Sequence, residues 1–224
     1  MVFDQLHTPP FCGLCPRLCD FRAQNALKKP AYHNAPVPSF GDLSARFLIV
    51  GLAPGLSGAN ATGRPFTGDY AGEVLYPALI RHGLALGDYQ ARIDDGLRLM
   101  DTRITNTVRC VPPQNQPTPQ EIRTCGDFLA QEIQAMPRLS VILTLGKVAY
   151  DTTLKHLGGN PRQAPFAHGV VRQQGRYTLI ASYHTSRYNM NTRRLTEDMF
   201  DGIMGMVLES LKQALGECDT QTPY

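Results

Sequence analysis

Four short apolar runs are spaced along the chain, and each predicts a buried strand. The runs are residues 46–51, Arg103–Val108, Leu139–Leu145 and Tyr177–Ser182. Longer segments carry apolar residues at helical spacing, namely Arg17–Lys28, Ala71–Leu84, Pro119–Met136, a short stretch ending near Leu157, and Leu195–Leu215. Thr118, Pro119 and Glu121 have the spacing of a capping box with proline in the first helical turn, which marks the start of the helix at Pro119.

Strand and helix alternate along most of the chain, which predicts a parallel sheet with helices on both faces. We therefore expect an α/β protein, built as a three-layer α/β/α sandwich on a central four-stranded parallel sheet, with an extra hairpin over Phe166–Arg176. No repeat or linker interrupts the pattern, so residues 1–224 are expected to form a single domain with its α/β core at 46–215. Ligands of such sheets bind beyond the carboxyl ends of the strands.

Two polar loops that follow predicted strands carry the side chains best suited to chemistry. The first loop, Gly51–Asp69, is rich in glycine, which lets the backbone approach a ligand closely. It also contains Phe66 and Asp69, and the loop after the fourth strand contains His184. Asn106 interrupts a β-branched strand, where asparagine is disfavoured, and this suggests a polar role for its side chain. These side chains are expected to meet at one edge of the sheet.

Composition and charge exclude some classes of protein. The chain has 22 Lys and Arg against 19 Asp and Glu, a net charge of +3, which permits a nucleic-acid partner without arguing for one. It lacks the apolar run of about 18 or more residues that a membrane-spanning helix needs. Its first residues lack the basic and apolar regions of a secretory signal. We expect a cytoplasmic protein that does not contact membranes.

The cysteines suggest a metal centre. Six cysteines in a cytoplasmic protein are not expected to form disulfides. Cys12 and Cys15 form a Cys-x-x-Cys pair, Cys19 follows closely, and Cys110 and Cys125 bracket a proline-rich loop. Four thiolates can hold an iron–sulfur cluster or zinc, and a bare Cys-x-x-Cys also occurs as a redox pair. Spacing alone does not choose among these.

Several blocks together resemble the uracil-DNA glycosylase superfamily, specifically its family 5, the UDGb-type enzymes. They are Gly51-Leu-Ala-Pro54, Thr62-Gly-Arg-Pro-Phe-Thr-Gly-Asp69 and His184-Thr-Ser-Arg-Tyr-Asn-Met-Asn-Thr-Arg-Arg-Leu-Thr196, in the family's order. The likeness covers residues 12–196. Leu52 stands where family 4 has an acidic residue, which favours family 5. Thr185 and Arg193 depart from the family's usual proline and glycine.

The resemblance implies a monofunctional DNA-repair glycosylase that extrudes a deaminated base and hydrolyses its N-glycosidic bond, leaving an abasic site. Uracil is the implied base, with hypoxanthine and xanthine as further substrates. The implied partner is single- or double-stranded DNA that contains such bases. The protein is expected to act as a monomer and to be associated with the nucleoid. A structural [4Fe–4S] cluster is also implied, with Cys12, Cys15, Cys110 and Cys125 as ligands, Cys19 as the alternative to Cys12, and residues 1–45 wrapped around it.

The resemblance also assigns roles to the loop residues. Asp69 is expected to position the attacking water and stabilise the sugar, and His184 to donate a hydrogen bond to the departing base. The base-binding residues are then Gly51, Ala53, Phe66 and Asn106. The expected DNA-binding residues are Arg64, Arg187, Tyr188, Asn189, Met190, Arg193 and Arg194, with Tyr188 or Met190 filling the gap left by the extruded base.

Each of these residues also has an ordinary structural explanation. Asp69 is suited to capping a helix that begins at Tyr70, Phe66 to core packing, and Asn106 to a turn. Two further hypotheses remain: a family 4-like enzyme restricted to uracil, and a non-catalytic iron–sulfur DNA-binding protein on the same fold. A nucleotide-binding enzyme is disfavoured, because the loop lacks both Gly-x-Gly-x-x-Gly and the Walker Gly-Lys pair.

Overall fold

A five-stranded sheet lies at the centre of the protein, which the computed structural model describes over residues 9–219. In chain order the elements are α1 (Pro16–Lys28), β1 (Phe47–Gly51), α2 (Ala59–Thr62), α3 (Tyr70–Arg81), β2 (Ala85–Leu86), β3 (Arg98–Leu99), β4 (Thr102–Asn106), a 3-10 turn (Pro113–Asn115), α4 (Pro119–Ala135), β5 (Val141–Leu145), α5 (Lys147–His156), β6 (Val171–Gln174), β7 (Tyr177–Ser182), α6 (Arg187–Asn191) and α7 (Glu197–Asp219). The short strands β2 and β3 pair with each other outside the main sheet.

The order of strands in the main sheet is β4, β1, β5, β7, β6. The first four are parallel, as predicted, and β6 runs antiparallel to β7 at the edge. The sheet is therefore one strand wider than expected, because the predicted hairpin supplies an edge strand. Since β1 has β4 on one side and β5 on the other, the direction of sheet growth reverses there. Such a switch point is where open α/β sheets bind ligands.

Side chains alternate between the two faces of each strand, and different helices cover the two faces. Phe47 and Ile49 of β1 pack with apolar residues of α3 and α7, whereas Leu48 and Val50 pack with those of α4 and α5. Burial on both faces explains why the parallel strands are continuous apolar runs. The three-layer α/β/α arrangement is confirmed. Within residues 9–219, no helix has the length and apolar character needed to cross a membrane.

The start of α4 is tied to α1 by a charged network. The predicted capping box is present: Glu121 N–H donates to Thr118 Oγ1 (3.2 Å), and Thr118 N–H donates to Glu121 Oε2 (2.7 Å). Arg17 of α1 donates to both oxygens of the same carboxylate, at 2.8 and 2.7 Å. On the inner side of α1, Leu18 packs with Val108 and two cysteines. The segment before β1 is thereby held against the loop that precedes α4.

Candidate active site

A cavity of about 540 Å³ opens at the carboxyl end of the sheet beside β1. It is lined by residues 52–59, Phe66, Asp69, Tyr70, Ala71, Asn106, Asn115, His184, Ser186 and Arg187. These residues come mainly from the segments after β1, β4 and β7, as expected for a switch-point site. The volume lies in the range of about 300–1,000 Å³ that is usual for small-molecule sites.

One wall of the cavity is formed where β1 and β4 end together. Gly51 and Asn106 are partners in the strand register. A methyl group on Gly51 would overlap Asn106 Oδ1 and lie 2.6 Å from Phe66 Cζ, so this position requires glycine. Asn106 is only 4% exposed and lines the cavity, and its amide has no hydrogen-bond partner among residues 9–219. A buried amide without a protein partner is available to a bound ligand, which favours recognition over a turn role.

Phe66 and His184 form an aromatic pair in the cavity wall. Their ring centroids are 5.9 Å apart and their planes differ by 27°. Phe66 also packs in the core cluster beneath α3, so both of its interpretations hold. Burial lowers the pKa of His184 to about 4, which keeps the imidazole neutral at neutral pH. A neutral imidazole retains one N–H donor and one acceptor nitrogen.

Asp69 both caps α3 and faces the cavity. Its Oδ1 accepts a hydrogen bond from Gly72 N–H at 3.4 Å, as an N-cap residue does. Its other oxygen lies against the glycine loop, where a methyl group on Gly58 would stand 2.8 Å from Asp69 Cγ. Burial raises the pKa of this carboxyl, while the N–H groups of Gly72 and Ala71 oppose the rise. The capping explanation and the catalytic one are therefore compatible.

The segment expected to be a DNA-contacting loop contains the short helix α6. Ser186 caps it by accepting a hydrogen bond from Asn189 N–H at 3.4 Å. Tyr188 is 71% exposed, whereas Met190 packs against the core cluster. Of the two candidates for the inserted side chain, only Tyr188 therefore projects outward. The Asn189 amide donates to the His184 carbonyl (2.8 Å), so it holds the backbone of the site, and its expected contact with DNA stays a prediction.

The expected arginines differ in their placement. Arg187, Arg193 and Arg194 are exposed. The guanidinium of Arg187 lies over the ring of Tyr70, and that of Arg194 over the ring of Tyr183. These three remain accessible to a polyanion.

Arg64 contradicts the expectation that it contacts a phosphate. Its side chain is 3% exposed and forms two hydrogen bonds of 2.7 Å with the carboxylate of Asp95, which is fully buried. Its guanidinium also packs over the rings of Phe40, Tyr76 and Tyr89. The prediction was wrong because Asp95, the partner of Arg64, lies in the segment between β2 and β3. Neither of these strands was predicted from the sequence.

The two departures from the family pattern have structural explanations. Arg193 adopts φ +55°, the left-handed conformation that glycine favours, where the family pattern has glycine. Thr185, in place of the usual proline, is buried, and its hydroxyl donates to the Ala71 carbonyl at 3.2 Å. This bond ties the His184 loop to the first turn of α3.

Asn115 reaches the cavity although it was not predicted there. It belongs to the proline-rich loop between Cys110 and Cys125, and it adopts φ +57°. Left-handed backbone is uncommon outside glycine, though asparagine tolerates it best. The Pro-Pro-Gln-Asn sequence was a signal for a defined turn, but the fold alone brings that turn to the cavity.

Five cysteines line a second cavity. Cys12, Cys15, Cys19, Cys110 and Cys125 line it, together with Leu14, Leu18, Thr124 and Phe128. Burial raises the pKa of Cys15 to about 11 and that of Cys110 to about 12, so these thiols need a nearby cation to ionise at neutral pH. Ala53 packs against this group and also lines the first cavity, which joins the two sites.

The cysteines that line this cavity do not form a site for a single metal ion in this arrangement. Within the described chain, no three His, Cys, Asp or Glu side chains converge as one metal ion requires. Cys19 Sγ contacts the Cys12 carbonyl (3.3 Å) and accepts from Arg22 (3.4 Å). Cys19 thus lines the same cavity as the other four cysteines, with its thiol already engaged by these two neighbours.

Comparisons with known proteins find relatives that span most of this chain. The model of the uracil DNA glycosylase superfamily matches residues 38–206. A Type-5 uracil-DNA glycosylase of Thermus thermophilus is 44% identical over 195 residues, covering 84% of this chain and 89% of that protein. A Type-5 enzyme of Pyrobaculum aerophilum is 40% identical over 189 residues, covering 83% and 82%. A Type-4 uracil-DNA glycosylase of Archaeoglobus fulgidus is 40% identical over 159 residues, covering 66% and 69%.

Proposed function

Since this chain belongs to the uracil-DNA glycosylase superfamily, we propose that it removes uracil from DNA by hydrolysing the N-glycosidic bond. The observation that carries the proposal is the convergence of four side chains on one cavity at the switch point: Phe66, Asp69, Asn106 and His184. An aromatic ring, a carboxylate, an amide and a neutral imidazole are the groups that base recognition and bond cleavage require.

Recognition begins with extrusion, because the glycosidic bond is not reachable in stacked duplex. The extruded base enters the cavity, stacks on Phe66 and bonds with its polar edge to the Asn106 amide. The place of that amide in the cavity lining, without a hydrogen-bond partner among residues 9–219, supports this role. Gly51 does not itself line the cavity, but its missing side chain leaves the room that the Asn106 amide and the Phe66 ring occupy beside the proposed base site.

Cleavage breaks the bond between C1′ and the base nitrogen, and the bonding electrons leave with the base. The sugar becomes positive, and the Asp69 carboxylate stabilises it while accepting a hydrogen bond from the attacking water. The water oxygen bonds to C1′, and the proton that it loses balances the charge of the departing base. His184, neutral because burial lowers its pKa, donates a hydrogen bond to a base oxygen as negative charge develops.

DNA is held by the surface around α6. The exposed Tyr188 fills the gap left by the base, and Arg187, Arg193 and Arg194 bind phosphates. Such contacts set affinity and register without reading sequence.

The reaction is monofunctional. Within the described chain no lysine lines the cavity, so no amine is placed to attack C1′ and form a Schiff base. The product is an abasic site on an intact strand. Strand cleavage without added alkali or lyase would contradict this assignment.

We further propose that the enzyme accepts hypoxanthine and xanthine as well as uracil. Support comes from the cavity volume of about 540 Å³, which is ample for a two-ring base, and from the greater coverage by Type-5 than by Type-4 relatives. Restriction to uracil is the alternative.

We propose that Cys12, Cys15, Cys110 and Cys125 hold a [4Fe–4S] cluster. When bound, this group supplies a covalent link between the N-terminal segment and the loop that carries Asn115. Its role is structural, because the cysteines line a separate cavity from the proposed base site.

The test is a gel assay on labelled duplexes that carry uracil, hypoxanthine or xanthine at one position, with and without alkali. Alkali-dependent cleavage at all three establishes a broad monofunctional glycosylase, and cleavage at uracil alone establishes the narrow one. The matched variant is Asp69→Asn, which retains a capping oxygen and removes the charge. DNA binding by the wild-type protein without cleavage at any lesion would favour a non-catalytic binding protein.

A further inference from the structure

A single hydroxyl group holds the backbone between Phe66 and Asp69 from outside the cavity. Tyr89 Oη donates to the Phe66 carbonyl at 3.2 Å and accepts from Gly68 N–H at 3.3 Å. These two peptide groups flank Thr67. They belong to the short backbone segment that joins Phe66, whose ring lines the cavity, to Asp69, whose carboxylate caps α3. Tyr89 itself does not line the cavity.

The backbone at Phe66 needs such support. Phe66 adopts φ +54°, a left-handed conformation that is sterically unfavourable for an L-residue with a bulky side chain. A residue is kept in this region only when its surroundings impose it. Gly72 in the first turn of α3 makes room for the Phe66 carbonyl, since a methyl group there would overlap that oxygen and lie 2.5 Å from Tyr89 Oη.

The tyrosine is in turn fixed by the buried ion pair. Its ring stacks on Tyr76, with centroids 4.6 Å apart and planes differing by 23°. Asp95, paired with Arg64, accepts hydrogen bonds from the N–H groups of Gln90 and Leu97, both at 3.1 Å. This organises the segment between β2 and β3 that carries Tyr89.

We infer that Tyr89 is a positioning residue for base excision: its hydroxyl keeps the Phe66 ring and the Asp69 carboxylate in their places around the cavity. The segment from β2 to β3 thus supports the active site from behind, although Tyr89 does not contact the base. The inference rests on the roles proposed for Phe66 and Asp69, and it names the element that enforces their geometry.

Tyr150 provides a matched control. Its hydroxyl has the same bonding pattern in another part of the molecule, donating to the Ala164 carbonyl at 3.0 Å and accepting from Arg172 Nε at 2.9 Å. None of these three residues lines the cavity. Tyr89→Phe and Tyr150→Phe therefore each remove one donated and one accepted hydrogen bond, and those of Tyr150, which include a charged donor, are at least as strong. Only Tyr89→Phe affects the segment between Phe66 and Asp69.

The experiment compares single-turnover excision of uracil by the wild-type protein and the two variants, at saturating enzyme and well below their melting temperatures. Tyr89→Phe is expected to lower the maximal rate by about tenfold, which is the scale of one hydrogen bond, with the half-saturating DNA concentration unchanged. Tyr150→Phe should retain the wild-type rate. Equal rates for wild type and Tyr89→Phe, or equal losses in both variants, would overturn the inference.

A double-mutant cycle tests whether Tyr89 acts through Phe66. Tyr89→Phe should cost much less in a Phe66→Ala background than alone, because coupled residues are non-additive. Full additivity would count against the inference.

Hydrogen exchange of the Gly68 amide offers a readout independent of activity. It should be faster in Tyr89→Phe and unchanged in Tyr150→Phe, and unchanged exchange in both would refute the positioning contact. If the wild-type protein fails to cleave uracil DNA, the proposed function fails, while this measurement still decides whether Tyr89 holds the segment.

Discussion

Gly51 and Asn106 stand opposite each other at the ends of β1 and β4, and the Asn106 amide occupies the space that any side chain at residue 51 would need. One of these parallel strands thus ends with a residue that has no side chain, and the other ends with an amide that lines the cavity and has no hydrogen-bond partner in the described part of the chain. The proposed base pocket depends on both.

Gly51→Ala is therefore expected to lower uracil excision by at least about tenfold, because the added methyl displaces either Asn106 or Phe66, each a contact of the order of 1–2 kcal/mol. Single-turnover kinetics provide the measurement. The control is Gly202→Ala on the exposed face of α7, where a methyl meets open space. That change should leave the rate unchanged and stabilise the helix by roughly 0.5–1 kcal/mol. Equal kinetics for the two variants would show that the wall at Gly51 does not shape the pocket.

The rate of excision should fall on the acid side of neutrality. The proposed mechanism needs Asp69 ionised and His184 neutral. Burial raises the pKa of Asp69, so its carboxylate is protonated at a higher pH than an ordinary aspartate. His184 gains a proton only near pH 4. A pH–rate profile should thus show an acid limb, and Asp69→Asn should abolish that limb along with most of the activity. A wild-type limb that persists unchanged in the variant would assign it to another group.

His184 should also make stability depend on pH. The unfolded ring takes up a proton near pH 6.5, whereas the folded ring does so only near pH 4. The unfolded state therefore binds more protons in this window, and the stability supplied by the neutral ring is lost as the pH falls through it. Melting temperatures of the wild type should decline between pH 6.5 and 4 more steeply than those of His184→Gln. Parallel declines would show that the ring is not desolvated.

Removing Arg64 should affect folding and not DNA affinity. Arg64→Met leaves the Asp95 carboxylate buried without its partner, and breaking such a pair costs about 3–5 kcal/mol. Urea unfolding measures this loss. The slope of log Kd against log salt should match that of the wild type. Arg187→Met should instead leave stability nearly unchanged and reduce the slope by about one, as the loss of one phosphate contact does. A reduced slope for a folded Arg64→Met protein would restore the phosphate role.

The cysteine assignment predicts different outcomes for two serine variants. Cys110→Ser should abolish iron binding and the visible absorbance of a cluster, because a required thiolate is lost. Cys19→Ser should retain both, since the Cys19 thiol is engaged by the Cys12 carbonyl and Arg22. Iron and zinc analysis of freshly purified protein provides the reference. Loss of iron from Cys19→Ser but not from Cys12→Ser would exchange their roles.

Periodicity predicted the core elements well because each is long and strongly patterned. The four parallel strands and the helix at Pro119 were located to within a few residues. The pair β2 and β3 was missed, because strands of two residues contain too little alternation to detect. Helix α6 was missed since Asn189 and Asn191 are poor helix formers, and its stability comes from the Ser186 cap.

The site was predictable only where its residues follow strands. Asp69, Asn106 and His184 could be placed at one edge because parallel strands end together. The pairing of Arg64 with Asp95 and the approach of Asn115 depend on how separate loops fold over the sheet, and no local pattern encodes that. The reason for glycine at position 51 is visible only in the folded structure. A glycine in a loop can be explained in several ways, and the nearness of Asn106 and Phe66 shows which explanation applies.

The position of Asp69 as a helix cap has a consequence for turnover. A carboxylate on a free loop would lose rotamer freedom each time it met a reacting sugar. Here the hydrogen bond from Gly72 immobilises one oxygen when α3 forms, so the other is already oriented when substrate arrives. The ordering of the proposed catalytic group is thus a step in folding, completed once per molecule, and the reaction starts from a preorganised electrostatic environment.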